Sequence, residues 1–105
     1  ADSRYGAAGC TGMGEMAIRG VTAHSVVFYL KNDASVAEAG VRAMQDLDYL
    51  GGRYLAGMNI VALDRNGIPG GFSSIKDRTF IYQTDDMSTH EETMRTLVDI
   101  TQRWG

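Results

Sequence analysis

Thr11, Gly12, Met13, Gly14 and Glu15 make a glycine corner between the small-residue run "YGAAGC" and a segment that reads as a helix. Three kinds of chemistry use such a corner. Amides at a helix start hold phosphates, because their N–H groups point outward and the helix dipole favours an anion. The same amides, joined by a hydroxyl such as that of Thr11, stabilise an oxyanion as it develops. In the third case the glycines only allow close packing, and Thr11 only caps the helix.

Gly12, Gly14 and Ala17 satisfy G-x-G-x-x-A, the local form of a dinucleotide fingerprint. A Rossmann unit needs a second parallel strand after the helix, ending in an acidic residue for the ribose. Here the next element is another helix, opened by the capping box Ser35–Glu38. Glu15 also places a carboxylate where the pyrophosphate would lie, and like charges repel. The nucleotide reading therefore fails, and oxyanion and packing roles remain. An exposed Glu15–Arg19 pair one turn apart would order the corner by about 0.3–0.5 kcal/mol.

Other reactive side chains are scattered. His24 lies inside the first helical segment and His90 near the start of the last; with Cys10 they form no metal-ligand spacing, so no metal and no cofactor are expected. Thr84-Asp85-Asp86 lacks the glycine-turn ligand series of a calcium loop. The six methionines read as core filling.

The elements that position the corner follow from periodicity. Tyr5–Thr11 reads as a buried strand, and Glu15 to about Lys31 as one helix with apolar residues around much of its circumference. A second helix follows Ser35, with Val36, Ala39, Gly40, Ala43, Met44, Leu47 and Leu50 at helical spacing. "MNIVALDRNGIPGGFSS" is a hairpin about an Asn-Gly turn, and "RTFIYQT" a third strand. Ser88 with Glu91 reads as another capping box, opening a C-terminal helix over residues 88–105 that aligns Met94, Leu97, Val98, Thr101 and Trp104. The 105 residues form one α/β unit, with no repeat or linker. A net charge of -3 without a Lys/Arg cluster argues against nucleic acid. No apolar run reaches membrane-spanning length. One cysteine excludes an internal disulfide and leans toward a reducing compartment without fixing it.

The stretch "ADSRYGAAGCTGMGEMAIRGVTAHSVVFYLKNDASVAEAGVRAM" resembles the β chain of asparaginase-type N-terminal nucleophile hydrolases, glycosylasparaginases above all. Asp2, Thr11, Gly12, Gly14, Glu15 and Arg19 match the pattern in place, and "AGMNIVALDRNGIPGGFSS" resembles the closing hairpin. The resemblance covers about residues 1 to 85 and implies an αββα four-layer sandwich. It implies an autoprocessed enzyme that cleaves the side-chain amide of glycosylated asparagine, with isoaspartyl peptidase and L-asparaginase activity as the alternative on the same scaffold. A threonine freed at the start of the β chain would be the nucleophile and its α-amine the base. That threonine is expected upstream of Ala1, with an arginine and an aspartate that hold the substrate's α-carboxylate and α-amine; this chain alone would be inactive. Thr11 and Gly12 would be the oxyanion hole, and Met13 and Gly14 would complete the substrate pocket. The implied partners are the α chain, the N-terminal part of the β chain, an amino-acid substrate and further copies of the processed unit. A non-catalytic homologue with a structural corner is the reading from another class.

Overall fold

The computed structural model describes residues 1–51 and 57–100. Strand β1 (Gly6–Gly12) leads into α1 (Gly14–Gly20), α2 (Thr22–Lys31) and α3 (Val36–Leu50). Then come β2 (Met58–Asp64), β3 (Pro69–Ser73), β4 (Thr79–Tyr82), β5 (Glu91–Met94) and β6 (Thr96–Leu97). One sheet has the order β1-β2-β3-β6, and β4 and β5 form a separate ribbon. β1 and β3 run antiparallel to β2, while β6 joins the outer edge of β3 in parallel.

Strand alternation gives the main sheet two unlike faces. Met58, Ile60, Ala62 and Phe72 are buried beneath the helices with Met16, Val26, Val36, Ala39, Ala43, Met44 and Leu47. Val61 and Leu63, the intervening residues of β2, are 42% and 45% exposed on the other face. Phe72 fits under α3 because Gly40 has no side chain; a Cβ there would run into the phenyl ring. The Tyr29 hydroxyl donates to Asp46 Oδ2 at 2.5 Å and fastens α2 to α3.

The segment expected as a single helix over 15–31 is two helices. Val21 stands between them in the left-handed conformation, φ 45 and ψ 48. The buried stripe explains the corner: Thr22, Val26 and Leu30 recur every four residues, and a straight continuation would place Ile18 on that face. Ile18 is instead 78% exposed and Met16 is fully buried, which requires α1 to turn. Gly20 allows the turn, since a Cβ on it would lie 2.7 Å from Leu47 Cδ2.

The Ser35–Glu38 capping box forms as expected: Ser35 Oγ accepts from Glu38 N at 3.1 Å, and Ser35 N donates to Glu38 Oε1 at 3.0 Å. The hairpin also forms. Asp64 Oδ1 accepts the N–H groups of Asn66 (2.8 Å) and Ile68 (2.9 Å), and Gly67 takes φ 82.

The expected third strand forms as β4; it pairs with β5 in the separate ribbon, and Phe80 lies over Gly71 on the exposed face of the main sheet. One expectation fails beyond it. The expected helix over 88–105 gives way to β5 and β6, with residues 101–105 outside the described ones. Free edges on β4 and β3 supply backbone partners there, and Thr93, Thr96 and Val98 suit extended chain. Tertiary pairing outweighs a helical spacing that only five side chains carried.

Candidate active site

The corner sits where β1 runs out and α1 begins. Thr11 is exposed and lies directly opposite Asn59 in the β1–β2 ladder. Gly12, at φ 126, closes the strand, in a conformation open in practice only to glycine. A Cβ there would also meet the Gly57 carbonyl oxygen and lie 3.1 Å from Met58 Cα. Met13 is the N-cap of α1, and its carbonyl accepts Met16 N at 3.1 Å and Ala17 N at 3.2 Å. The N–H groups of Gly14 and Glu15 therefore have no partner within the helix. A Cβ on Gly14 would meet no atom, so packing against the described residues does not call for glycine there.

Thr11 does not cap α1; its N-cap receives no side-chain hydrogen bond. Nor does the Thr11 hydroxyl bond to any described residue. The helix dipole contributes little, since α1 is only seven residues long with Glu15 in its first turn. The expected Glu15–Arg19 pair is absent: Arg19 Nη1 donates instead to the Gly51 carbonyl at 3.1 Å and approaches Met16 Sδ at 3.8 Å. Arg19 thus joins α1 to the end of α3 and supports the corner from behind.

Asp2 lies at the far end of β1. Its backbone exchanges 2.8 Å hydrogen bonds with Gly6, and its carboxylate pairs with Arg4 at 2.8 Å. The Arg4 guanidinium and amide hold that carboxyl at about 2, below its ordinary 3.8. Six residues of extended strand put about 20 Å between this end and the corner, so Asp2 takes no part in it.

Two residues join the site that sequence reasoning did not single out. A cavity of about 200 Å³ on the exposed sheet face is lined by Gly9, Cys10, Thr11, Asn59, Val61 and Arg95. Asn59 is the one polar side chain between Met58 and Leu63, a signal readable in "MNIVAL". Arg95 had no such signal, because its place follows from the unexpected β5–β6 course. Its Nε donates to the Thr79 carbonyl at 2.8 Å and its Nη1 to those of Ile60 (2.7 Å) and Phe72 (3.3 Å). Burial alone pushes the Arg95 pKa downward.

The structure thus brings together at one strand end a glycine at positive φ, a threonine that does not cap the helix, and helix-start N–H groups without a partner in the helix. The asparaginase family profile matches residues 1–92. The chain belongs to the N-terminal nucleophile asparaginase family. No individual curated protein matches it. The family's members are asparaginase-type amidohydrolases of the N-terminal nucleophile fold, and a helix layer on an antiparallel sheet agrees with that fold. The matched residues contain the whole Thr11–Gly14 corner and Asn59, while Arg95 lies beyond them.

Among the described residues no group of His, Cys, Asp and Glu is arranged to hold a metal ion. His24 is exposed and stacks on Phe28 at 6.4 Å. The Thr84 hydroxyl bonds to Asp86 in an exposed loop.

Proposed function

We propose that this chain is the C-terminal part of an autoprocessed asparaginase-family hydrolase that cleaves the side-chain amide of an asparagine derivative, with glycosylated asparagine as its first substrate. The observation that carries the reading is the freedom of Thr11: its hydroxyl is exposed, it does not cap α1, and it stands at the corner that the resemblance assigns to the oxyanion hole. The missing cap removes the Thr11 part of the packing reading, while Gly12 still meets a packing need beside the Gly57 carbonyl.

In this reading the nucleophilic threonine lies upstream of Ala1. Its hydroxyl oxygen attacks the amide carbon while its own α-amine takes the proton. The carbonyl oxygen becomes an oxyanion, held by the Thr11 hydroxyl and the Gly12 amide. When the intermediate collapses, the C–N bond breaks and the proton passes to the leaving nitrogen. Water then cleaves the ester and frees aspartate. Met13 and Gly14 form the pocket wall, and the open position beside Gly14 gives a substrate room to approach.

The exposed face of the main sheet supports the four-layer arrangement. Val61 and Leu63 face outward beside the small residues Ala7 and Gly9. A second sheet, from the α chain and the N-terminal part of the β chain, would cover them, and processed units would assemble into oligomers.

The alternative substrate is a β-aspartyl peptide, and the Arg95 cavity favours it. The leaving group of glycosylasparagine is a neutral sugar amine, whereas that of a β-aspartyl peptide carries a carboxylate. Intact mass and N-terminal sequencing of the complete precursor test the proposal. A new terminal threonine before Ala1, and aspartate released from either substrate, are expected. A precursor that stays uncleaved would sink the reading.

A further inference from the structure

We propose that the chain just before Ala1 forms a further strand of the main sheet, antiparallel to β1 along its free edge, and brings the residue four positions before Ala1 beside Thr11 in the wall of the substrate pocket. This rests on the hydrolase reading above, which puts chain upstream of Ala1, and it names the segment that completes the site.

The pairing begins within the described residues. Asp2 N donates to the Gly6 carbonyl and Gly6 N to the Asp2 carbonyl, both at 2.8 Å, the reciprocal bonding of one antiparallel pair. Ser3, Arg4 and Tyr5 make the turn between them. The Asp2 carboxylate fixes that turn by accepting Arg4 N at 3.0 Å and Arg4 Nη2 at 2.8 Å. In the sheet order β1 has a neighbour on one side only, β2. Because Gly6 uses its N–H and C=O on Asp2, alternation directs those of Ala8, Cys10 and Gly12 to the same open edge, and those of Ala7, Gly9 and Thr11 to β2.

A row of unpaired backbone groups is a template for another strand. Chain continued backward from Asp2 in this register sets Ala1 opposite Ala7, and the first four upstream residues opposite Ala8, Gly9, Cys10 and Thr11 in turn. The first and third then face the helices, as Ala8 and Cys10 do. A cavity of about 300 Å³ lies on that side, lined by Ala1, Asp2, and Ala23, Val27 and Phe28 of α2. An apolar side chain one position before Ala1 would fill it and cover Phe28, which is 51% exposed. The second and fourth upstream residues face the opposite way, and the fourth stands next to the Thr11 side chain. The oxyanion reading needs the Gly12 amide, so the pairing ends at Cys10 and the chain leaves the sheet beside Thr11.

The test uses the complete protein, with Cys10→Ala as background so that only introduced thiols react. Gly9→Cys is combined with a cysteine two positions before Ala1, its partner in a non-hydrogen-bonded pair. The Cα atoms of such a pair lie about 4.5 Å apart, within the span of a disulfide, and a Cβ on Gly9 meets no described atom. Mild oxidation should join the two, read by mass mapping of unreduced peptides. It should not join Gly9→Cys to a cysteine three positions before Ala1, which faces the other way. No bond in the first pair, or equal bonding in both, would overturn the proposal. Hydrogen exchange read residue by residue in the wild-type protein decides if Gly9→Cys fails to fold. The Ala8 and Cys10 amides should exchange about 100-fold or more slowly than that of Gly12; fast exchange at Ala8 and Cys10, or equal protection of Gly12, would refute the strand or its departure at Thr11. Proline one or three positions before Ala1 would refute it too, since both residues donate an N–H to β1. None of these readouts needs turnover, so an uncleaved precursor sinks the hydrolase reading separately and leaves the strand to the crosslink.

Discussion

The two faces of the main sheet are built from the same strands on different terms. On the helix side, Ile60 and Phe72 are almost fully buried, and Gly40 is spared a side chain so that the phenyl ring fits. On the opposite side, Val61 is 42% exposed beside Thr11, Asn59 and Arg95, three polar groups around one cavity. One face is finished by this chain alone, and the other offers groups for something else to meet. The proposed four-layer arrangement gives that difference a meaning, because it would pack a second sheet on the exposed face.

Substitutions on the finished face should cost most. Phe72→Ala should destabilise the protein by about 3–5 kcal/mol in denaturant unfolding, the range for a buried aromatic that leaves a cavity. A loss near zero would mean that the helix layer is not packed on the sheet as described. Gly40→Ala should also destabilise, by about 1–3 kcal/mol for overpacking, against a gain of up to about 1 kcal/mol in helix propensity. A net gain would show that the ring has room to move.

A sharper comparison sets neighbours in one strand against each other. Ile60→Ala should cost about 2–5 kcal/mol in any context. Val61→Ala should cost under about 0.5 kcal/mol while its face is open. Burying that side chain beneath a second sheet should raise the cost to about 1–2 kcal/mol in the processed enzyme. Equal small losses in both settings would mean that nothing covers the face.

How far each face was legible in the sequence follows from what its residues depend on. The Ser35 capping box, the α3 stripe and the Asp64–Gly67 turn are local signals, carried by residues within a few positions of each other. The break at Val21 was hidden, because "AIRGVTAHS" keeps a helical spread of apolar residues and the turn is forced by which of Met16 and Ile18 the core takes. The C-terminal segment was misread because a helical stripe and an edge strand make similar demands on "TMRTLV", and the free edges of β3 and β4 decide between them. Thr11 and Gly12 were legible as a corner, while Asn59 and Arg95 entered the site only through strand register and the path of the tail.

Smaller effects belong to the helix-side caps and the chain start. Ser35→Ala should cost about 1 kcal/mol, the usual worth of an N-cap, read from unfolding midpoints. The partnership is acid-sensitive: hydrogen bonds from Ser35 lower the Glu38 pKa, so its contribution is present above the ordinary glutamate range and fades as pH falls through the lowered value. Asp2 behaves alike, contributing above its ordinary 3.8 and losing that contribution as pH falls through about 2. An NMR titration in which Asp2 protonates near its ordinary value would remove the Arg4 pairing.

The central claim is that the open corner holds an oxyanion, and Thr11→Ala in the complete, processed enzyme tests it most directly. Loss of one such donor should lower kcat by about 100- to 1000-fold, with the unfolding midpoint nearly unchanged because the Thr11 hydroxyl caps nothing and bonds to no described residue. An unchanged kcat would return the corner to a packing role and contradict the account.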